Sequence, residues 1–203
     1  MADKQLLNRE YTFIFVREAE SWNSNHPNFQ PCREAQMAIV ELGKKCVKYD
    51  RSGIDIYFAI NPPQRKKGGN VTDLAKVFQV KNAPPADDLL ASLNDALDNH
   101  FDHIEPDRKE TIIVVLDHLP NDKEAIVNTL IEATKKIDQE NQAHRLGISF
   151  VLIGENEEAE SFLNFLDDEL EAAGASHDIV DAKGWMAIKQ SSIEKFLLDA
   201  LLD

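Results

Sequence analysis

The sequence predicts an α/β fold in which a doubly wound, mostly parallel central sheet is flanked by helices on both faces. Short runs of β-branched and aromatic residues alternate along the chain with amphipathic stretches of helical periodicity. The clearest run, Thr111 to Leu116, is continuously apolar, as strands are when both faces of a parallel sheet are covered. Because strands that alternate with helices are joined by right-handed crossovers, we expect a mostly parallel sheet.

The predicted strands share a high density of β-branched and aromatic residues and end at glycine, proline or aspartate. They are Tyr11–Val16, Ile54–Ile60, Thr111–Leu116, Gly147–Gly154 and Asp178–Asp181. The stretch from Pro62 to Gly69 contains two glycines and three basic residues, which is typical of a loop.

The predicted helices have apolar side chains at helical spacing, and most begin beside a residue that can cap a helix. The first starts at Pro31 and ends near Asp50. The others run from the Asn70 cap through Val80, onward from Asp87-Asp88, from the Asn121-Asp122 cap to Ile137, from Ala159 to Leu170, and from Ile193 to Leu201.

Length and composition indicate one globular domain over residues 1–203, since 43% of the residues are hydrophobic. The formal net charge is −14, with 36 acidic and 22 basic side chains, and such a surface repels a phosphate backbone. We therefore expect no nucleic-acid partner. The locally basic stretches Lys44–Arg51 and Arg65–Lys67 are either solvated surface or a contact for an acidic partner.

Several absences favour a cytoplasmic protein that does not bind a membrane. No apolar run is long enough to span a bilayer, and the first residues do not have the build of a signal peptide. Cys32 and Cys46 fall in one predicted helix, too far apart for a disulfide, which suits a reducing compartment.

Ligands of doubly wound sheets bind beyond the carboxyl ends of the strands, where the strand order reverses. The loops that follow Val16 and Leu116 are therefore the expected functional region.

The segments around these loops, and others along nearly the whole chain, follow one another in a distinctive order. They are Tyr11–Val16, Gly53–Phe58, Ile112–Pro120, Lys135–Asp138, Gly147–Phe150, Gly154, Leu166–Leu170, Asp178–Asp181 and Trp185. In this order they resemble the von Willebrand factor type A (vWA) domains that occur as short standalone proteins in fungi and bacteria. The fold of these domains is Rossmann-like. The resemblance implies a divalent cation at the upper edge of the sheet, held by a D-x-S-x-S loop, a threonine and an aspartate. A carboxylate of a protein partner would complete the ligand shell of this cation.

This sequence departs from that metal-binding pattern. Arg17 stands at the position of the first aspartate and Ala19 at that of the first serine, so only Ser21 remains of the motif. The segment from Pro84 to Asp87 contains no threonine, whereas Asp117 is retained. Hard cations need several oxygen ligands, so we expect no metal ion and no other cofactor.

Several interpretations of this edge remain open. Arg17 either takes the place of the metal ion and pairs with Asp117, or points to solvent while Asp117 accepts hydrogen bonds from its own loop. A rearranged cation site is a further alternative, with ligands from Glu18, Glu20, Asp87 and Asp117. His100 and His103 form an HxxH pair, which is either part of a transition-metal site or a solvated helix end.

The sequence contains no recognisable catalytic motif, and we expect a non-enzymatic module that binds a protein partner, which is either another protein or a second copy of this chain. The expected binding rim comprises Arg17 to Phe29, the Pro62–Gly69 loop and His118 to Asn121. Its main candidate residues are Arg17, Glu18, Glu20, Ser21, Trp22, Asp87, Asp117 and His118. Trp22 and Phe29 either anchor a partner or cover the vacated metal pocket. The alternatives to a scaffolding role are a self-assembling structural protein and a cation-dependent binder.

Overall fold

The computed structural model describes residues 6, 9–17, 25–50, 52–78, 87–102, 109–139, 145–190 and 192–202, with side chains up to residue 199. Its strands are β1 (Arg9–Val16), β2 (Ile54–Phe58), β3 (Gln64–Gly69), β4 (Lys109–Leu116), β5 (Leu146–Leu152) and β6 (Val180–Gly184). They form one sheet in the order β3-β2-β1-β4-β5-β6. All neighbours pair in parallel except β2 and β3, which are antiparallel.

Helices cover both faces of this sheet, as predicted. They are α1 (Phe29–Tyr49), α2 (Val71–Val77), α3 (Leu89–Phe101), α4 (Lys123–Gln139), α5 (Glu157–Asp168), α6 (Met186–Gln190) and α7 (Ile193–Leu202). Residues of α3, α4 and α5 pack in one core on one face, and residues of α1, α2, α6 and α7 pack in a second core on the other. None of these helices is long and apolar enough to cross a membrane.

The apolar run of β4 follows from its central position. Val114 and Leu116 point into the first core, while Ile113 and Val115 point into the second. Because side chains alternate between the faces of a strand, a strand covered on both sides needs apolar residues throughout.

The prediction of a loop over Pro62–Gly69 is wrong, because Gln64–Gly69 is strand β3. Pro62 and Pro63 lie in the turn that reverses the chain after β2, and β3 then returns along it as an edge strand. A mostly exposed edge strand carries polar and basic side chains, which discourage pairing with other chains, so its sequence has the composition of a loop.

Other differences concern the ends of elements. Strand β6 begins at Val180 instead of Asp178, because the Asp178 carboxylate accepts a hydrogen bond of 3.1 Å from the Val180 N–H in the preceding turn. Helix α1 begins at Phe29, so Pro31 lies within its first turn, where proline is tolerated. Helix α6 was not predicted, since five residues are too few to show helical periodicity.

A buried polar cluster lies at the amino-terminal ends of β1 and β4. The Thr12 hydroxyl donates to Glu110 Oε1 at 2.6 Å, and His100 Nδ1 lies 3.1 Å from Glu110 Oε2. Arg9 donates to the Glu110 carbonyl at 2.6 Å, and burial lowers the pKa of Arg9 to about 10. His100 is 4% exposed, so its interpretation as part of a solvated helix end is wrong, whereas His103 lies outside the described residues.

Cys32 and Cys46 lie in one helix, α1, as predicted, and both are buried free thiols.

Candidate functional site

The strand order reverses between β1 and β4, the place that the sequence analysis selects. After β1 the chain builds β2 and β3 on one side, and it then crosses to β4 on the other side. Val16 and Leu116 are paired at the carboxyl ends of the two strands. Arg17 and Asp117 follow them directly, so a cation and an anion meet at the switch point.

Arg17 is 7% exposed, which does not fit the interpretation that its side chain points to solvent. It lines a cavity of about 20 Å³ whose other walls are mainly apolar: Phe15, Val16, Cys32, Phe58, Val77, Phe78, Val115 and Ile153, with Asp117. Burial lowers the pKa of Arg17, and the charge of Asp117 opposes that shift. An arginine keeps its proton in proteins, so the switch point holds a permanent positive charge.

Asp117 is 3% exposed and is fixed by two neighbours. Its Oδ1 lies 2.8 Å from His118 Nδ1, and its backbone carbonyl accepts a hydrogen bond of 3.1 Å from Asn28 Nδ2. Asn28 directly precedes α1, so this contact ties the start of α1 to the end of β4.

Asn28 also packs against Gly154, directly beyond β5. Gly154 has a φ of +84°, and a Cβ built at this position would lie 2.2 Å from Asn28 Oδ1. Only glycine therefore fits here. Asn28 falls within the predicted rim from Arg17 to Phe29, but its contacts with Gly154 and Asp117 were not predicted; a glycine at the carboxyl end of a buried strand was the available signal of a close approach.

Cys32 lies beside the two charged residues but is not an activated nucleophile. Burial, together with the charge of Asp117, raises the pKa of the Cys32 thiol to about 12, although Arg17 opposes the shift. Only the thiolate attacks electrophiles, and at neutral pH this thiol stays protonated.

The other candidate residues are placed as follows. Asp87 is exposed and directly precedes Asp88, the N-cap of α3. The Asp88 N–H donates to the Ala59 carbonyl at 2.8 Å, and this hydrogen bond holds the start of α3 at the same edge of the sheet. Glu18, Glu20, Ser21 and Trp22 lie outside the described residues.

The predicted binding rim needs one correction. Gln64 pairs with Phe58 at the carboxyl edge of the sheet, whereas Gly69 pairs with Ile54 at the opposite edge. Only the start of the Pro62–Gly69 stretch therefore lies on the rim, because β3 runs antiparallel to β2 and carries the chain away from it.

The described residues at the switch point do not fit a divalent cation. They bring only one carboxylate, Asp117, and place beside it the guanidinium of Arg17, whose positive charge repels a dication. In the part of the chain that the structure describes, no three histidine, cysteine or acidic residues gather in an arrangement that could hold a metal ion.

No protein-family model matches the sequence, and a search of curated proteins finds no match. Solved structures do match the fold. The VWA domain of SpRpn10 superposes with a TM-score of 0.56 at 13% identity, covering 91% of this chain and 96% of that domain. The fold is vWA-like.

Two further structures align with this vWA-like chain over most of its length. Proximal thread matrix protein 1 from the mussel byssus shows a TM-score of 0.47 at 14% identity, covering 96% of this chain and 47% of that protein. Manganese-loaded Plasmodium vivax TRAP protein shows a TM-score of 0.46 at 13% identity, covering 94% and 74%. At such identities the likeness describes the fold alone.

Proposed function

We propose that this chain is a non-enzymatic, cytoplasmic protein-interaction module of the vWA type, whose degenerate adhesion site binds a partner without a metal ion. The observation that supports this proposal is the burial of Arg17 beside Asp117 at the switch point of the sheet. The vWA-like fold supports it further, since the SpRpn10 structure with that fold is a VWA domain.

In this proposal the Arg17 guanidinium takes the place of the metal ion, and its charge balances that of Asp117. Their electrostatic coupling supports this role, because burial lowers the pKa of Arg17 and the charge of Asp117 opposes that lowering. A dication about 4 Å from a guanidinium would be repelled by about 8 kcal/mol at an effective dielectric near 20. A fixed cation at this point therefore disfavours metal binding in the usual mode.

The partner contacts the rim around this pair. The described rim includes Phe29, His118 and Leu119, which are partly exposed, and Asn121, which is exposed. Partly exposed apolar side chains beside polar ones are a common composition of protein interfaces. Trp22 and the other residues of the predicted rim up to residue 24 extend this surface in the proposal.

The metal-free part of the proposal is tested by titration calorimetry of the wild type with magnesium, calcium and manganese. We expect no stoichiometric binding. A site of micromolar affinity and one-to-one stoichiometry would refute this part, whatever the partner. The Arg17→Asp variant is measured alongside, because it restores a carboxylate where the vWA pattern has one.

The binding part is tested by affinity capture from native extract with and without chelator. We expect the wild type to retain a partner in the presence of chelator, and the rim variant Leu119→Asp to lose it. The matched variant Ile60→Asp lies outside the proposed rim but is also partly exposed. Capture that requires added metal, or capture that both variants retain equally, would count against the proposal.

A further inference from the structure

A second concave surface lies on the same edge of the sheet, between the ends of β5 and β6 and the first turns of α5. It is a groove of about 510 Å³, within the usual range of binding sites. Its floor is formed by apolar side chains: Leu152, Leu163, Ala182 and Ala187. None of its lining residues belongs to the cavity around Arg17, so the groove is a separate feature.

One wall of the groove is acidic. Glu157 and Glu160 are exposed and lie one helical turn apart on α5, with Asn164 one turn further, and Glu155 precedes the helix. Across the residues that the structure describes, none of these three carboxylates is in a salt bridge.

The only basic residue among those lining the groove is already balanced by acids. Lys183 Nζ lies 2.6 Å from Asp181 Oδ1 and 2.9 Å from Asp199 Oδ2, and these contacts raise the pKa of Lys183 despite burial. The surrounding chain adds to the negative field, since the sequence from Leu146 to Ala182 contains ten acidic residues and no lysine or arginine. The charges around this groove therefore favour a cationic occupant.

We propose that the groove docks an extended basic segment of a protein partner, with lysine or arginine at alternate positions. The long side chains of these residues have an apolar stem, which suits the floor, and a charged head, which suits the glutamate wall. Glu157 and Glu160 are three residues apart on a helix, where Cβ atoms lie about 5–6 Å from each other, and alternate side chains of an extended chain lie about 6.6 Å apart. This proposal does not depend on the Arg17 edge.

The test uses the full chain labelled with ¹⁵N and a capped peptide of alternating lysine and alanine, KAKAKA. We expect amide shift changes concentrated at Leu152, Ala182 and Ala187, and weaker binding as salt increases. The double variant Glu157→Gln/Glu160→Gln should bind about fivefold more weakly, since each exposed ion pair contributes modestly.

The matched control is Glu158→Gln/Glu171→Gln, which removes the same charge at exposed residues outside the groove. We expect it to bind within about twofold of the wild type. Equal weakening by both double variants would show attraction to overall charge and overturn the proposal. Absence of binding at millimolar peptide in low salt would also overturn it, as would groove-dependent binding of spermine without binding of the peptide.

Discussion

Arg17 and Asp117 are the residues that immediately follow Val16 and Leu116, the last pair in register between β1 and β4. Both are almost fully buried. Burial lowers the pKa of Arg17, and the charge of Asp117 opposes that lowering. Removing either charge would leave the other buried without a counter-charge, which is energetically costly. The stability of each buried charge therefore depends on the presence of the other.

This dependence predicts a strong coupling in a double-mutant cycle. Arg17→Met and Asp117→Asn should each lower the free energy of unfolding by about 3 kcal/mol, because each leaves the other charge buried. The double variant should lose less than the sum of the single losses by about 1–3 kcal/mol. The measurement is urea-induced unfolding followed by circular dichroism.

Glu132→Gln and Lys135→Met provide a control cycle on an exposed ion pair of 2.7 Å in α4. Its coupling should stay below about 0.5 kcal/mol. If the losses for Arg17 and Asp117 simply add, the two charges do not interact and Arg17 does not take the place of a cation.

The contact between Asn28 and Gly154 predicts a second effect. Gly154→Ala should lower the free energy of unfolding by about 2–4 kcal/mol, because the new methyl group meets the Asn28 amide at a positive φ. Gly174→Ala should cost only about 1–2 kcal/mol, since Gly174 also has a positive φ but no atom lies within 4 Å of its built Cβ.

A third variant isolates the clash in Gly154→Ala. In an Asn28→Ala background the cost of Gly154→Ala should fall to that of Gly174→Ala, as measured by urea-induced unfolding. An unchanged cost would mean that backbone strain alone requires glycine at residue 154.

Much of the fold could be predicted from the sequence, because alternating apolar runs and amphipathic stretches reflect burial in a covered parallel sheet. The switch point could also be predicted, since the carboxyl ends of parallel strands share one edge. Strand β3 could not, because an exposed edge strand has no apolar pattern. His100 was misjudged for a related reason: its burial depends on Glu110, a partner on another element that sequence spacing does not reveal.

The hydroxyl of Thr12 provides a third prediction. Thr12→Val keeps the shape of the side chain but removes the donor to Glu110, so we expect a loss of about 1.5–3 kcal/mol in the free energy of unfolding. Thr129→Val removes a 3.2 Å hydrogen bond to Asn94 at the surface of α4 and should cost less than about 1 kcal/mol. Equal costs in thermal or urea unfolding would show that the buried carboxylate does not need this donor.

Asp167 predicts how stability changes with pH. Burial raises the pKa of this carboxyl from 3.8 to about 6, and the charges of Asp181, Asp168 and Asp178 add to the shift, although the Ala182 N–H opposes it. Between about pH 4 and pH 6 the folded protein therefore binds more protons at Asp167 than the unfolded chain does. The stability that protonated Asp167 contributes is therefore fully present below pH 4 and is lost as the pH rises to 6.

Asp167→Asn removes this loss of stability while keeping a side-chain oxygen that can accept the hydrogen bond from the Ala182 N–H. We expect the variant to exceed the wild type in free energy of unfolding by about 1 kcal/mol at pH 7.5, a figure reduced from the full shift because Asp167 is partly exposed. The difference should vanish near pH 4. Glu171→Gln, at an exposed residue whose charge is not among the causes of the Asp167 shift, changes the net charge equally and should show no such dependence between pH 4 and 6. A constant advantage of Asp167→Asn from pH 4 to 7.5 would mean that the amide stabilises the fold for a reason other than removal of this buried charge.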